Sequence, residues 1–294
     1  MIVVFGSVNL DLVTRVARFP APGETVAGTS FHMVVGGKGA NQSLAAARAG
    51  AQVRLYGALG CDALAAMAIE TLSSGGVDVD GLGRRDAPSG CAIVQVDDRG
   101  ENCIVVVPGA NVFADPDSVP EALLCAGSTL LLQHEVPERA NEALIKRARR
   151  GGARIALNAA PARPVALDLL RKIDMLIVNE TEADVLAAHL GWPSEPARFA
   201  AAGSAAVASL AVVVTLGAAG AIAASDGEQF AVPAPCVDVF DTTGAGDAFV
   251  GTLAAALDGG STLALAVRRA VAAGSHACTE QGARKPRASS MGRT

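Results

Sequence analysis

The 294-residue sequence predicts an α/β fold: a mostly parallel central sheet with helices on both faces and a small accessory β-sheet. Three observations carry this prediction. From residue 51 onward, short apolar runs alternate with helix-like segments, the pattern of successive βαβ units. Two pairs of less apolar runs, 12–19 with 24–35 and 91–96 with 102–107, read instead as hairpins outside the main sheet. Polar residues also gather at the predicted C-terminal ends of the core strands, where ligands bind on such sheets.

Composition narrows the class. Hydrophobic residues make up 51% but aromatics only 3%, so the core is built mainly of Ala, Val and Leu. A net charge of −5 gives no sign of the basic surface of a nucleic-acid binder. The six cysteines (Cys61, Cys91, Cys103, Cys125, Cys236 and Cys278) contain no C-x-x-C pair. With no signal-like N-terminus, they read as buried free thiols of a cytoplasmic protein. Residues 199–225 carry no charge, but glycines interrupt them and they turn β-branched at Val212-Val213-Val214-Thr215. That predicts a buried helix, strand and turn rather than a membrane span.

Residues 2–5 form a wholly apolar run, as for a strand covered on both faces. It leads into Gly6-Ser7-Val8-Asn9-Leu10-Asp11. In an extended chain Asn9 and Asp11 point the same way and suit two neighbouring hydroxyls, as on a sugar. They equally suit a turn whose backbone they satisfy. The first hairpin turns at Pro20-Ala21-Pro22-Gly23 and the second at Asp97-Asp98-Arg99-Gly100.

Between the hairpins, Gly36-Gly37-Lys38-Gly39-Ala40-Asn41-Gln42 opens a helix over 40–49. It is not a Walker A loop, because His32 stands where the first glycine belongs and Gly39 where Ser or Thr belongs. Nor is it a dinucleotide fingerprint, which follows the first strand directly. Bared backbone beside Lys38 and Asn41 suits a small polar ligand; the alternative is a glycine joint between sheets. Beyond it, strands are predicted at 53–57, 129–132, 154–158, 175–178 and 211–215, then a turn and two short strands. Helices are predicted at 62–72, 116–125, 139–150, 164–172, from Asn179 onward, and at 196–210, 246–257 and 262–276.

The most informative stretch is Asp241-Thr242-Thr243-Gly244-Ala245-Gly246-Asp247, between a strand-like approach at 237–240 and a helix. Two glycines and a helix N-terminus make an anion cradle. A carboxylate inside it, Asp247, suits a base that takes the proton of a hydroxyl attacking a phosphoryl group. The alternative is an aspartate that merely caps its helix.

These stretches, with Phe19-Pro20-Ala21-Pro22-Gly23-Glu24-Thr25, Asn179-Glu180-Thr181-Glu182 and Thr215-Leu216-Gly217, occur in an order that resembles the ribokinase family. That family lies within the phosphofructokinase-B (PfkB) carbohydrate kinases, and the resemblance spans residues 4–282. It implies a ribokinase-like core over 1–11, 37–88 and 111–294. A β-sheet lid over 12–36 and 89–110 would close on the sugar and join two chains as a homodimer. The implied reaction transfers the ATP γ-phosphate to the 5-hydroxyl of D-ribose. Asp247 would be the base, with Gly244, Ala245 and Gly246 forming the anion hole. Asn9, Asp11, Gly37, Lys38, Asn41 and Glu135 would hold the sugar beside Asp247. Asn179, Thr215, Gly217, Gly220 and Gly246 would line the nucleotide site, and Asn179 with Glu182 would organise Mg²⁺.

A K⁺ activator would be held by Asp241, Thr243, Ala277, Glu280 and Gly282, largely through backbone carbonyls. The sequence departs from the family after Gly282-Ala283, reading Arg284-Lys285-Pro286-Arg287 where a Ser-x-Pro-like continuation is usual. It also reads Asn158-Ala159-Ala160-Pro161, without the usual proline directly after the Asn. A related kinase for another sugar or a nucleoside is the first alternative. A nucleoside site needs rings to stack on the base, and the chain has one Trp (Trp192, in a turn-like Gly191-Trp192-Pro193), one Tyr and eight Phe. A non-catalytic sugar-binding regulator is the second; it would be expected to lose the base or the cradle glycines, and both are present.

Overall fold

The computed structural model describes residues 1–279. Its first strand, β1 (Ile2–Phe5), is apolar throughout because both faces are covered. Ile2 and Val4 enter one hydrophobic core, Val3 and Phe5 the other. The chain continues through β2 (Asn9–Val16), β3 (Gly28–Gly36), α1 (Lys38–Arg48), β4 (Val53–Gly60), α2 (Ala63–Ser74), β5 (Val77–Asp78) and β6 (Leu82–Arg85). Then follow β7 (Gly90–Val96), β8 (Asn102–Val107), β9 (Thr129–Leu132), α3 (Glu138–Gly151), β10 (Arg154–Asn158), α4 (Leu167–Leu170) and β11 (Met175–Asn179). The last elements are α5 (Glu180–Leu190), α6 (Pro196–Ala206), β12 (Ala211–Thr215), β13 (Ala221–Ser225), β14 (Glu228–Val232), α7 (Ala245–Asp258) and α8 (Leu263–Ala277).

The large sheet has the order β14-β13-β12-β11-β10-β9-β1-β4-β5, with β6 also pairing β4. From β12 to β4 every pairing is parallel, so these strands end on one common edge. The chain moves from β1 outward to β4 on one side and returns later to β9 on the other. The order therefore reverses between β1 and β9, and a binding crevice is expected beyond that point. Apolar residues of α1, α2, α7 and α8 fill the core on one face; those of α3, α5 and α6 fill the other.

The second sheet has four strands in the order β3-β2-β7-β8. Its root is attached to the core, since β2 begins only a few residues after β1 and β3 runs directly into α1. Away from the root it is thinly covered. All of β8 is exposed, and Phe31, Met33, Ile93 and Val105 lie open to solvent.

Some expectations require correction. The helix predicted over 116–125 is two 3-10 turns, Pro116–Ser118 and Glu121–Leu123. Pro120 divides them, and the residue before it, Val119, is forced into extended geometry (φ −82, ψ 115). Of the helix predicted over 164–172, only Leu167–Leu170 forms. The strand-like approach at 237–240 is irregular; Val239 and Phe240 are exposed, and the loop is tied down by Phe240 and Asp241 N–H groups donating to the Cys278 carbonyl. None of the six cysteines is buried; all are free thiols, exposed or half-exposed. No helix of the described residues is long and apolar enough to cross a membrane.

Candidate active site

The shared strand edge places the predicted residues in a row. Running from β12 to β1 come Thr215, Asn179, Asn158, the residues after β9 that include Glu135, and the Ser7–Asn9 stretch after β1. Asn179 and Thr215 are register partners across β11 and β12.

At the β1 end, backbone crowding explains the glycines. A Cβ on Gly39 would stand 2.6–2.7 Å from the backbone of Gly6 and Ser7, so α1 begins pressed against the end of β1. Gly37 adopts φ +86, a conformation that favours glycine. This approach brings the Lys38 N–H to Glu135 Oε2 at 2.9 Å, and the Ser7 hydroxyl donates to the same oxygen at 2.5 Å.

Asn9 and Asp11 lie two apart in β2 and so point to one side of the small sheet, as expected. Asn9 is flanked across the ladder by Gly36 and Gly90. A Cβ on Gly36 would fall 2.1 Å from Asp11 Oδ1, and one on Gly90 would fall 2.3 Å from Asn9 Oδ1. The two glycines thus make room for the two polar side chains. Asn9 Oδ1 accepts from Asn111 Nδ2 at 2.8 Å, which orients the amide and turns its NH₂ group away from Asn111. Asn111 itself is pinned, accepting from Val8 N–H at 2.9 Å and donating to the Pro108 carbonyl at 3.0 Å. Sequence reasoning missed Asn111, which stands far along the chain in a short 3-10 helix, Gly109–Phe113.

Asp247 sits in the first turn of α7 and is buried. It is not a cap: the N-cap is Gly244, at φ +78, and no side-chain cap bond forms. Instead both carboxylate oxygens accept side-chain amides from α1. Asn41 Nδ2 donates to Oδ2 at 2.9 Å and Gln42 Nε2 to Oδ1 at 3.0 Å. Burial pushes the Asp247 pKa up, against the pull of the Lys38 charge and the two amides. Helix geometry leaves the N–H groups of Gly246 and Asp247 without helical acceptors. A Cβ on Gly246 would meet nothing, so the cradle faces open space. Ala245, expected to share in it, donates its N–H to the Thr242 carbonyl at 3.2 Å.

Lys38 binds these clusters together electrostatically. Burial works against its charge, but Asp247, Glu135 and Glu182 outweigh it and hold its pKa above the ordinary value. Three carboxylates thus face one ammonium.

Asn179 and Glu182 form a reciprocal capping box on α5, with Glu182 N–H to Asn179 Oδ1 and Asn179 N–H to Glu182 Oε2 both at 2.8 Å. Burial raises the Glu182 pKa, opposed by the Asn179 N–H and the Lys38 charge. Among the described residues no cluster of three or more His, Cys, Asp or Glu could cage a metal. The excess of buried negative charge fits Mg²⁺ that keeps most of its waters and arrives with phosphates, not a dedicated protein cage.

Thr215 closes β12, and its hydroxyl lies 3.4 Å from the Val178 carbonyl. Gly217 (φ +51) is exposed with nothing near its Cβ position. Gly220 has a packing reason to be glycine, since a Cβ there would collide with the Val232 carbonyl at 2.0 Å. The Asp241 carboxylate accepts the Thr243 N–H at 2.8 Å, and Ala277 lines a groove of about 310 Å³ together with Gly244 and Asp247. Glu280 and Gly282 lie outside the described residues.

A family model described as pfkB family carbohydrate kinase matches residues 1–290. The chain belongs to that family. The kinase is 34% identical over 283 residues to a ribokinase of Haemophilus influenzae, an alignment spanning 95% of this chain and 92% of the other. Its fold matches a ribokinase structure from Thermotoga maritima with a TM-score of 0.87 at 31% identity, covering 96% of this chain and 94% of that one. It also matches the Arabidopsis thaliana ribokinase complexed with ribose and ATP, with a TM-score of 0.85 at 32% identity, covering 96% and 93%. PfkB kinases are phosphotransferases acting on a sugar hydroxyl, and the ribokinase-like fold expected from the motifs is the fold observed. Trp192, the single tryptophan, packs edge-on to Phe199 within the opposite core, with ring centroids 5.6 Å apart.

Proposed function

We propose that this kinase transfers the γ-phosphate of ATP to the 5-hydroxyl of D-ribose. The observation that carries the proposal is Asp247: a buried carboxylate gripped by two amides, in the first turn of a helix whose glycine N-terminus opens to the cavity. Asp247 takes the proton of the attacking hydroxyl. The N–H groups of Gly244, Gly246 and Asp247 face the transferring phosphoryl and stabilise its charge, the main protein contribution to such a reaction. Asn9 donates and Asp11 accepts, a pair matched to two neighbouring ring hydroxyls. Lys38, Asn41 and Glu135 complete the sugar site, with Gly37 leaving the backbone bare.

The nucleotide lies along the β11–β12 side, near Asn179, Thr215 and Gly217. Glu182 and Asn179 would hold Mg²⁺ through its waters, and the ion would neutralise phosphate charge. K⁺ would sit behind the cradle at Asp241, Thr243 and Ala277. The small sheet serves as the lid, and its exposed apolar residues favour pairing with a second copy. The reading places the enzyme in the cytoplasm.

ADP release measured against a panel of ribose, 2-deoxyribose, fructose and nucleosides tests the proposal. Ribose is expected to give the highest kcat/KM. Preference for 2-deoxyribose would show that Asn9 and Asp11 do not read the hydroxyl pair, and no sugar-dependent turnover would overturn the reading.

A further inference from the structure

Gln42 lies in the glycine-rich stretch, yet its side chain is wholly buried. Its Nε2 donates to two acceptors at once, Asp247 Oδ1 at 3.0 Å and Asn158 Oδ1 at 2.9 Å. Asn158, also buried, donates its Nδ2 to the Ile177 carbonyl at 3.2 Å. A backbone carbonyl can only accept, so this bond fixes the Asn158 amide with its oxygen towards Gln42. Asn158 in turn fixes the Gln42 amide with its nitrogen towards Asp247. The chain has one polarity, running from β11 through β10 and α1 to α7. Turned over, Gln42 would aim Oε1, which has no hydrogen-bond partner, at the carboxylate.

We propose that Gln42, oriented by Asn158, is a positioning residue that pins Oδ1 of Asp247 so that Oδ2 takes the sugar's proton. The inference rests on Asp247 being the base. Oδ2 is the outer oxygen, since its partner Asn41 is half-exposed and lines the groove beside Asp247. The charged groups around the carboxylate are Lys38 on α1, Glu135 after β9 and Glu182 on α5, with Arg48 and His276 lining the same groove. Burial, Glu135 and Glu182 favour the neutral acid, whereas the Lys38 charge and the Asn41 and Gln42 N–H groups favour the charged form.

The test uses the full chain with ATP, Mg²⁺ and the best sugar. Gln42→Met keeps length and removes the donor. It is expected to lower kcat by about 10–100-fold, the scale for partners that orient a site residue. It should leave the sugar KM near its original value, because Gln42 does not reach the cavity. The acid limb of kcat should move up by about 1 pH unit, because the charged form loses a hydrogen bond. Asn158→Leu, which frees Gln42 to turn over, should shift the limb the same way by less. The double variant should be no worse than Gln42→Met alone. An unmoved acid limb in either single variant, with Asp247→Asn inactive, would overturn the positioning role. Lower kcat with raised KM and an unmoved limb would also overturn it, as a packing defect. Substantial turnover by Asp247→Asn would overturn the base assignment instead.

Discussion

The Ser7 hydroxyl donates to the Glu135 carboxylate at 2.5 Å, across the gap where the strand order reverses between β1 and β9. The same oxygen receives the first N–H of α1, from Lys38. Two segments distant in sequence, after β1 and at the start of α1, thus converge on Oε2 of a carboxylate supplied by a third, after β9. A switch point would otherwise be only an opening between strands; here a charged acceptor is built into it.

Asp247→Asn keeps the shape of the proposed base and removes its proton affinity. The expected result is a loss of kcat of roughly 10²–10⁴-fold with sugar binding retained. Burial raises the Asp247 pKa, and the proposed mechanism needs the carboxylate, so wild-type activity is expected to fall with acid through a limb above the ordinary 3.8. Rate profiles in single-turnover mode check both points; a limb below 3.8 would contradict the environment described.

Gly36→Ala places a Cβ where the Asp11 carboxylate now lies, 2.1 Å from Oδ1. The strand backbone tolerates alanine, so Asp11 must turn away. The expected outcome is a sugar KM raised by about tenfold or more, the scale of one hydrogen bond to a charged group. Circular dichroism should be unchanged. An unchanged KM would mean that Asp11 does not hold the sugar.

Two substitutions separate the roles of Glu182. Glu182→Gln still offers an oxygen to the Asn179 N–H, so the cap and thermal stability should persist while the Mg²⁺ concentration for half-maximal rate rises. Glu182→Ala removes the reciprocal half of the capping box too, leaving Asn179 as the N-cap, and should also cost about 1 kcal/mol of stability. Magnesium titration and thermal melts on both variants give the comparison. Equal Mg²⁺ requirements in wild type and Glu182→Gln would assign the residue to capping alone.

His134 supplies a pH-dependent contribution to folding. Burial is the main cause that lowers its pKa from 6.5 to about 4, helped by Arg163 and resisted by the bond from Nδ1 to the Pro161 carbonyl. The unfolded chain therefore binds more protons in that window. Its share of stability is complete above about 6.5 and drains away as pH falls towards 4. Urea unfolding on both sides of the window should show this slope, and His134→Gln should flatten it.

The small sheet predicts assembly. Met33, Leu12, Ile93 and Val105 are register partners across its four strands. They form an apolar row on the face opposite Asp11, since neighbouring strand residues point to opposite faces. Ile93→Asp should shift a dimer to monomer in sedimentation, whereas a wild-type monomer at micromolar concentration would refute pairing through this face.

Contiguous motifs were legible in the sequence because their chemistry is local. The cradle before Asp247, the Asn179–Glu182 box and the alternating core strands each rest on residues a turn or a strand apart. Gln42, Ser7 and Asn111 were not legible as site supports, because their roles arise from elements brought together across distant parts of the chain. Proline explains the helix misread over 116–125, where Pro120 outweighed an otherwise helical composition. The two-residue strand Val77–Asp78 and its neighbour Leu82–Arg85 were too short for any period to register.

Asn9 and Asp11 lie at the root of the small sheet, where β2 leaves the core, while the turn between β7 and β8 lies at the far tip. They occupy a fulcrum. Any rotation of the sheet about its root moves the tip through a wide arc but hardly displaces these two side chains. In the proposed lid role, a sugar held by these two residues would stay held as the sheet closes, and the grip would not have to be rebuilt in each position.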